Sequence, residues 1–159
     1  MKLTLDQLGL YDDFTVWALS TDAPITRLCF FLNEACKLRL CRCKNDLKLN
    51  QKDYLFSHFS YEQPSVELEW YLTSNTSYYN NGEDNTQTKT TLFEDGSMRT
   101  YHLIPSLKSY NAFLWVYGEL STKELKKVNE TLKTLPNLKT FKMIDLSVTN
   151  KVENLITQI

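Results

Sequence analysis

Two nearly continuous apolar stretches constrain the fold of this chain most. "FTVWALST" (14–21) and "AFLWVYGEL" (112–120) are rich in aromatic and β-branched residues and lack the alternation of a half-exposed strand. Such stretches are typical of strands that are covered on both faces. Both are therefore predicted to lie in the interior of a sheet.

Each of these strands is predicted to lead into an amphipathic helix. After the first, apolar residues recur at helical spacing at Ile25, Leu28, Cys29, Leu32, Ala35 and Cys36. The opposite side is polar and carries Arg27, Asn33, Glu34 and Lys37. Phe30 falls among these polar residues, and Thr21 or Asp22 is the predicted cap. After the second strand, Ser121 and Glu124 form a capping box.

Shorter patterns predict the rest of the chain. Strands are predicted at 38–43, 54–62, 66–72 and 138–145. In 66–72, Val66, Leu68, Trp70 and Leu72 alternate with Glu67, Glu69 and Tyr71, which indicates one buried and one solvated face. Asp95-Gly96 predicts a hairpin, residues 75–90 a polar loop or mobile excursion, and the tail a short helix.

These elements indicate a single α+β domain over residues 1–159. We expect a mainly antiparallel sheet of about six to eight strands, with two main helices on one face and a short C-terminal helix. The last strand–helix–strand unit should make a right-handed crossover. A ferredoxin-like plan with an extended meander in the middle fits this order of elements.

Composition argues against several classes of function. The formal net charge of −1 provides no field that would attract nucleic acid or an anionic membrane. No segment reaches the length of about 20 apolar residues that a membrane span needs, and the N-terminal stretch has no secretory signal pattern. We therefore expect a cytoplasmic protein with reduced thiols.

The four cysteines lie close together in sequence, at Cys29, Cys36, Cys41 and Cys43. Structural zinc sites favour C-x₂-C pairs, and this spacing contains none. Cys29 and Cys36 lie on the apolar stripe of the first helix, and Cys41 and Cys43 share one strand face. The four residues are predicted to be core side chains, and no metal site is expected.

No other motif predicts a catalytic centre or a cofactor. His58 and His102 lie in different predicted elements, with no local signature that joins either to a cysteine or an acid. The acidic pairs occur in turns or on a predicted solvated strand face. With four glycines, the chain also lacks a phosphate-binding glycine loop.

The stretches "LCFFLNEACKLRLCR", "FSHFSYE" and the block from residue 101 to 136 resemble the IPExxxVDY family of bacterial proteins. The resemblance covers roughly residues 12–156 and implies the α+β fold, without implying an activity. In the motif itself, Ile104, Pro105 and Phe113 match. The Glu, Val, Asp and Tyr positions are instead occupied by Ser106, Tyr110, Asn111 and Ala112.

The leading functional prediction is a non-enzymatic protein that acts by self-association or by contact with another protein, with Phe30 at the interface. The alternative is a small-ligand or catalytic pocket on the sheet, lined by Glu62, Tyr101 and His102. A further alternative is weak binding of nucleic acid. It would use a basic patch, with rings such as Tyr54 and Phe56 for stacking, and the patch residues are Arg39, Arg42, Lys44 and Lys48.

Overall fold

The computed structural model describes residues 14–48, 54–79 and 100–145. Within these ranges the chain forms two helices and nine strands. The helices are α1 (Ile25–Cys36) and α2 (Thr122–Lys133). The strands are β1 (Phe14–Thr21), β2 (Cys41–Arg42), β3 (Leu47–Lys48), β4 (Tyr54–Phe56), β5 (His58–Gln63), β6 (Leu68–Ser74), β7 (Tyr78–Tyr79), β8 (Ala112–Tyr117) and β9 (Leu138–Ile144).

Six strands form the main sheet in the order β2-β5-β6-β8-β1-β9, and every neighbouring pair is antiparallel. β1 and β8 are hydrogen-bonded on both edges, as their apolar sequences predicted. The α+β class with a mainly antiparallel sheet is thus confirmed. Because β8 and β9 both run antiparallel to β1, they are parallel to each other, and α2 connects them across β1.

Both helices pack against one face of this sheet. Leu28 and Leu32 of α1 are buried in the same cluster as Val128 and Leu132 of α2, around Trp17 of β1. Helical spacing predicted this packing, because the apolar stripe of each helix must leave water. Ala35, which was also assigned to the stripe of α1, is instead exposed.

The opposite face of the main sheet is covered by a second layer. A small sheet of order β3-β4-β7 contributes Leu47 and Phe56, and the segment before the 3₁₀ turn at Pro105–Leu107 contributes Leu103 and Ile104. These side chains pack on β1, β6 and β8 around Trp115. The main sheet is therefore buried on both faces over its centre.

This second layer contradicts the solvated face predicted for residues 66–72. Tyr71 is 9% exposed and β6 is buried on both faces. Glu67 precedes the strand, in a turn with φ 52°, and Val66, predicted to point inward, is 45% exposed. The prediction was wrong because alternation reports the polarity of the strand and not whether another part of the chain covers it.

Residues 54–62, predicted as one strand, form two strands in different sheets. β4 pairs with β3 and β7, whereas β5 pairs with β2 and β6. Ser57 lies between them, and its carbonyl accepts a hydrogen bond from the N–H of Ser74 at 2.9 Å. The chain thus passes from the small sheet to the main sheet within one residue.

The start of α1 also differs from the prediction. Pro24 occupies the N-cap position without a side-chain cap, and its carbonyl accepts a hydrogen bond from the N–H of Leu28 at 3.0 Å. The Thr21 hydroxyl instead donates to a carbonyl in the turn before β9. The capping box of α2 is confirmed, with the Ser121 hydroxyl accepting from the N–H of Glu124.

The polar segment that begins at residue 75 is not a loop throughout. Asn75 is buried, Thr76 forms a β-bridge with His102, and Tyr78–Tyr79 is β7. Residues 80–90, the predicted hairpin at 95–96 and the predicted C-terminal helix lie outside the described residues.

Candidate functional site

The solvent-facing side of α1 carries the most exposed large apolar side chain among the described residues, Phe30 at 59% exposure. Its ring lies edge-on to the half-buried Phe31, with centroids 5.8 Å apart. The Arg27 guanidinium lies 5.6 Å from the Phe31 centroid, and Glu34 is exposed one turn beyond Phe30. We call Arg27, Phe30, Phe31 and Glu34 the α1 stripe.

The three residues predicted for a ligand pocket are not brought together. Glu62 is exposed and pairs with Glu69, near the start of β6. Tyr101 and His102 pair with residues that follow the other end of β6. The ring centroids of Tyr101 and Tyr54 lie 3.7 Å apart, so the Tyr54 ring covers one face of the Tyr101 ring.

A cavity of about 490 Å³ lies at the N-terminal end of α1, where β1 and β6 end and β8 begins. Its walls are mainly hydroxyl, amide and aliphatic groups, from Thr21, Ala23, Pro24, Ile25, Leu28, Ser57, Ser74, Thr76, Ser77, Asn111 and Ala112. Among the described residues that line the cavity, Asp22 is the one charged residue, and its carboxylate lies 2.7 Å from the Lys139 ammonium. The lining therefore suits a neutral polar group better than an ion.

The predicted basic patch is only partly formed. Arg42, Lys44 and Lys48 line an open cleft of about 640 Å³, whereas Arg39 is exposed outside it. The Arg42 guanidinium makes two hydrogen bonds to the Asp46 carboxylate, at 2.9 and 2.6 Å. This pairing offsets one of the three positive charges in the cleft and so weakens the field that phosphate binding would need.

The rings proposed for base stacking do not face this cleft. Phe56 is fully buried between the main sheet and the second layer that covers it, and Tyr54 is half-buried against Tyr101. Stacking on a nucleic-acid base needs an accessible ring face. The structure therefore gives the nucleic-acid alternative no stacking platform among these residues.

The four cysteines are free thiols in different environments. Cys29 is buried and Cys36 half-buried against the helix-side core, and burial raises the pKa of each to about 11. Both therefore stay protonated near neutral pH and are poor nucleophiles. Cys43 is half-buried, and its thiol donates a hydrogen bond to the Ser60 hydroxyl. Cys41 is exposed, so the core position predicted for Cys41 is wrong. The pattern was misleading because β2 is a two-residue edge strand that nothing in the described chain covers there.

A chain of hydrogen bonds ends at His58, on the face of the main sheet that the second layer covers. The Trp115 indole N–H donates to the Thr73 hydroxyl at 3.0 Å, and that hydroxyl lies 2.9 Å from His58 Nδ1. A hydroxyl has one hydrogen, so Thr73 can accept from Trp115 and donate to a neutral His58. The imidazole also stacks on Tyr71, with centroids 5.6 Å apart. His58 is thus a structural, hydrogen-bonded histidine.

We expect acid to destabilise the fold through His58. Burial lowers the pKa of His58 below its usual 6.5, opposed by Asp46 and assisted by Arg42. The native state then binds fewer protons than the unfolded state, so the free energy of unfolding rises with pH through this window. This contribution is fully present above pH 6.5 and is lost as the pH falls through the lowered folded-state pKa.

Urea unfolding between about pH 5 and about pH 8 would measure this effect. In His58→Asn, the amide oxygen can still accept from Thr73 but does not titrate, so the pH dependence of the unfolding midpoint should become flatter. A variant that keeps the full slope of the wild type would show that other groups cause it.

The segment that resembles the family motif is held by two asparagines. The buried Asn75 amide accepts from the N–H of Ile104 and donates to two carbonyls, those of Leu107 and Tyr110. The Asn111 amide accepts from the N–H of Thr21 and donates to its carbonyl, at 2.9 and 2.6 Å. An aspartate at 111 could make only the first of these bonds.

Asn75 was missed by the sequence reasoning, although it directly follows a buried strand. Asparagine at such a position commonly hydrogen-bonds to nearby backbone and makes a turn. The polar sequence around it instead favoured a loop. Its bonds, and the burial of Ile104 and Phe113, indicate that the motif segment is structural in this chain.

Across the described ranges, no helix is long and apolar enough to span a membrane. In the same part of the chain, no three histidine, cysteine or acidic side chains cluster as metal ligands would. Comparison with family models, with curated proteins and with solved structures found no match to this chain.

Proposed function

We propose that this protein acts by contact with another protein surface through the α1 stripe, in its simplest form by self-association. The observation that carries the proposal is Phe30, a large ring that is 59% exposed on a well-formed helix. The opposite side of the same helix supplies Leu28 and Leu32 to the core, so Phe30 is not needed for packing within the domain.

The aromatic pair supports a contact more than a single exposed ring would. Phe30 and Phe31 adjoin each other, and charged side chains lie at both ends of the stripe. Interfaces favour an aromatic centre with a polar rim. Burial of one phenylalanine contributes about 1.5–3 kcal/mol, which is sufficient to make Phe30 the main source of affinity in a small contact.

Phe30→Asp should therefore abolish the contact. If the chain self-associates, we expect the dissociation constant to rise about 100-fold or more, because each copy loses a buried ring and gains a charge that must be desolvated. Sedimentation over a range of concentrations should show a mass falling from twice 18.6 kDa to 18.6 kDa.

Val66→Asp is the matched control, because Val66 is another exposed apolar residue and lies in a turn away from α1. The free energy of unfolding of both variants should lie within about 0.5 kcal/mol of the wild-type value, since neither position is buried. An unchanged mass for Phe30→Asp, or an equal effect of both variants, would reject α1 as the contact surface.

A small-ligand site in the cavity at the start of α1 is the second candidate. Its volume of about 490 Å³ lies within the range of small-molecule pockets, and its hydroxyl-rich lining favours a neutral polar compound. A native mass spectrum of gently purified protein separates the candidates. Bare chains or bare dimers favour the contact, whereas an added small mass favours the cavity.

We also propose a cytoplasmic location and a distant relation to the IPExxxVDY family. All four cysteines of the chain are free thiols, as expected in a reducing compartment. The family relation is supported by the matching motif residues Ile104, Pro105 and Phe113. Two of these three residues, Ile104 and Phe113, are buried, and Pro105 is exposed.

A ferredoxin-like origin of the fold is a further part of this proposal. The strands β9-β1-β8-β6 are adjacent and antiparallel in that order, with α1 after β1 and α2 after β8. The strands β2 to β5 would then be an insertion between α1 and β6. A later experimental structure of a relative without this insertion would test the idea.

A further inference from the structure

The charges on α1 are placed against the dipole of their own helix. Arg27 is the third residue of α1 and Glu34 is the third from its end, and α1 has no acid in its first turn and no base in its last turn. A helix favours negative charge near its N-terminus and positive charge near its C-terminus. Within the isolated domain, both charges are therefore at the less favourable end.

The two charges also lie on one line of the helix surface. Glu34 follows Arg27 by seven positions, which corresponds to about 10.5 Å along the axis and a rotation of only about 20°. Phe30 and Phe31 stand midway between them, three and four residues after Arg27. The α1 stripe is thus apolar at its centre, positive at one end and negative at the other.

From this arrangement we infer that the partner of the α1 stripe is a second copy of the chain, with the two α1 helices antiparallel. The inference rests on the proposed function of the stripe. A two-fold axis at right angles to α1, midway between Phe30 and Phe31, brings Arg27 of each copy level with Glu34 of the other. The aromatic rings of the two copies meet at the axis.

This pairing places both charges in favourable surroundings. Arg27 approaches the C-terminal end of the neighbouring α1, and Glu34 approaches its N-terminal end. Two ion pairs form for each dimer, on either side of an aromatic centre. A parallel pairing in the same register would instead place like charges together, so the charges select the antiparallel arrangement.

The contact is closed and small. An isologous two-fold interface uses the same surface on both copies, so association stops at the dimer. One twelve-residue helix against its copy lies at the small end of specific interfaces. We therefore expect a reversible dimer that dissociates in the micromolar range.

Charge reversal tests the arrangement directly. Arg27→Glu leaves two glutamates facing each other at both ends of the interface, and Glu34→Arg leaves two arginines there. We expect each single variant to raise the dissociation constant about 100-fold or more, measured by sedimentation equilibrium. The double variant restores opposite charges at both ends and should dimerise like the wild type.

A mixture of the two single variants should form a heterodimer, because one copy then carries two glutamates and the other two arginines along the stripe. Neither variant should damage the fold. Each places a charge at the end of α1 that the helix dipole favours, so the thermal midpoint of each monomer should be equal to or above that of Phe30→Asp.

The outcomes separate this inference from the proposed function. Monomeric single variants with recovery in the double variant and in the mixture establish the antiparallel pair. If Phe30→Asp dissociates the dimer but charge reversal has no effect, the contact surface stands and the antiparallel register is overturned. If the wild type is monomeric at about 500 μM, well above the expected micromolar dissociation constant, the second copy is rejected as the partner.

Discussion

Replacement of Asn75 by alanine is expected to lower the free energy of unfolding by about 3–5 kcal/mol. The fully buried amide makes three hydrogen bonds, to the N–H of Ile104 and the carbonyls of Leu107 and Tyr110. Alanine leaves the buried N–H of Ile104 and the carbonyl of Tyr110 without these bonds, whereas the Leu107 carbonyl keeps the hydrogen bond from the N–H of Tyr110. Each buried unpaired group costs about 1–3 kcal/mol, and the lost side chain leaves a small void besides.

Urea unfolding followed by circular dichroism would measure this loss. Asn45→Ala is the matched control, since Asn45 is exposed in a bend and should change stability by less than about 0.5 kcal/mol. Asn75→Asp keeps the acceptor but lacks both donor hydrogens, so it should be about as damaging as alanine. A loss below about 1 kcal/mol for Asn75→Ala would show that the motif segment is held by packing alone.

Gly118→Ala is expected to cost about 2–4 kcal/mol. Gly118 has φ 110°, a conformation that side chains rarely adopt, at the point where the chain leaves β8. An added Cβ would lie 2.8 Å from a methyl group of Leu68 and 2.9 Å from the carbonyl oxygen of Glu67. The methyl group can move, but the carbonyl belongs to a turn that itself has a positive φ at Glu67.

The neighbouring Glu119→Ala provides the control, because Glu119 is exposed and the substitution leaves the backbone conformation possible. It should remain within about 0.5 kcal/mol of the wild type. Equal stability of the two variants would mean that the turn before β6 relaxes freely. That result would also remove the physical reason for a glycine at this position.

These two positions lie outside the α1 stripe, so they separate stability from association. Asn75→Ala and Gly118→Ala should weaken folding without a specific effect on the dimer, whereas Phe30→Asp should do the reverse. A dimer that weakens in proportion to the loss of folding in all three would point to general unfolding. Comparing the three variants therefore distinguishes a loss of the interface from a loss of folding.

The exposure of Arg27, Phe30 and Glu34 could be predicted from sequence, and the two-fold pairing could not. Helical periodicity alone placed Phe30, Arg27 and Glu34 on the polar side of α1, because a helix repeats every 3.6 residues wherever it lies. Their positions relative to the helix ends depended on where α1 begins. That boundary was decided by Pro24, and the sequence pattern had favoured an earlier cap.

The hydrogen-bonded chain from Trp115 to His58 could not be predicted from any local sequence pattern. Thr73 and Trp115 are 42 residues apart and meet because β6 and β8 are neighbours in the sheet. The three pocket residues chosen from sequence failed to converge for the same reason. Which side chains share a site is decided by strand order, and strand order is a property of the folded chain.

The sequence by itself determined the two interior strands, the two helices and the faces that the helices bury. Those features follow from the composition of short segments, since an apolar stretch or stripe must leave water in any fold. Only the tertiary structure decided that a second small sheet covers β6, that residues 54–62 divide at Ser57, and that Cys41 stays exposed. The residues of a strand determine which of its faces are apolar enough to be buried. Contacts between distant segments decide which of those faces are in fact covered.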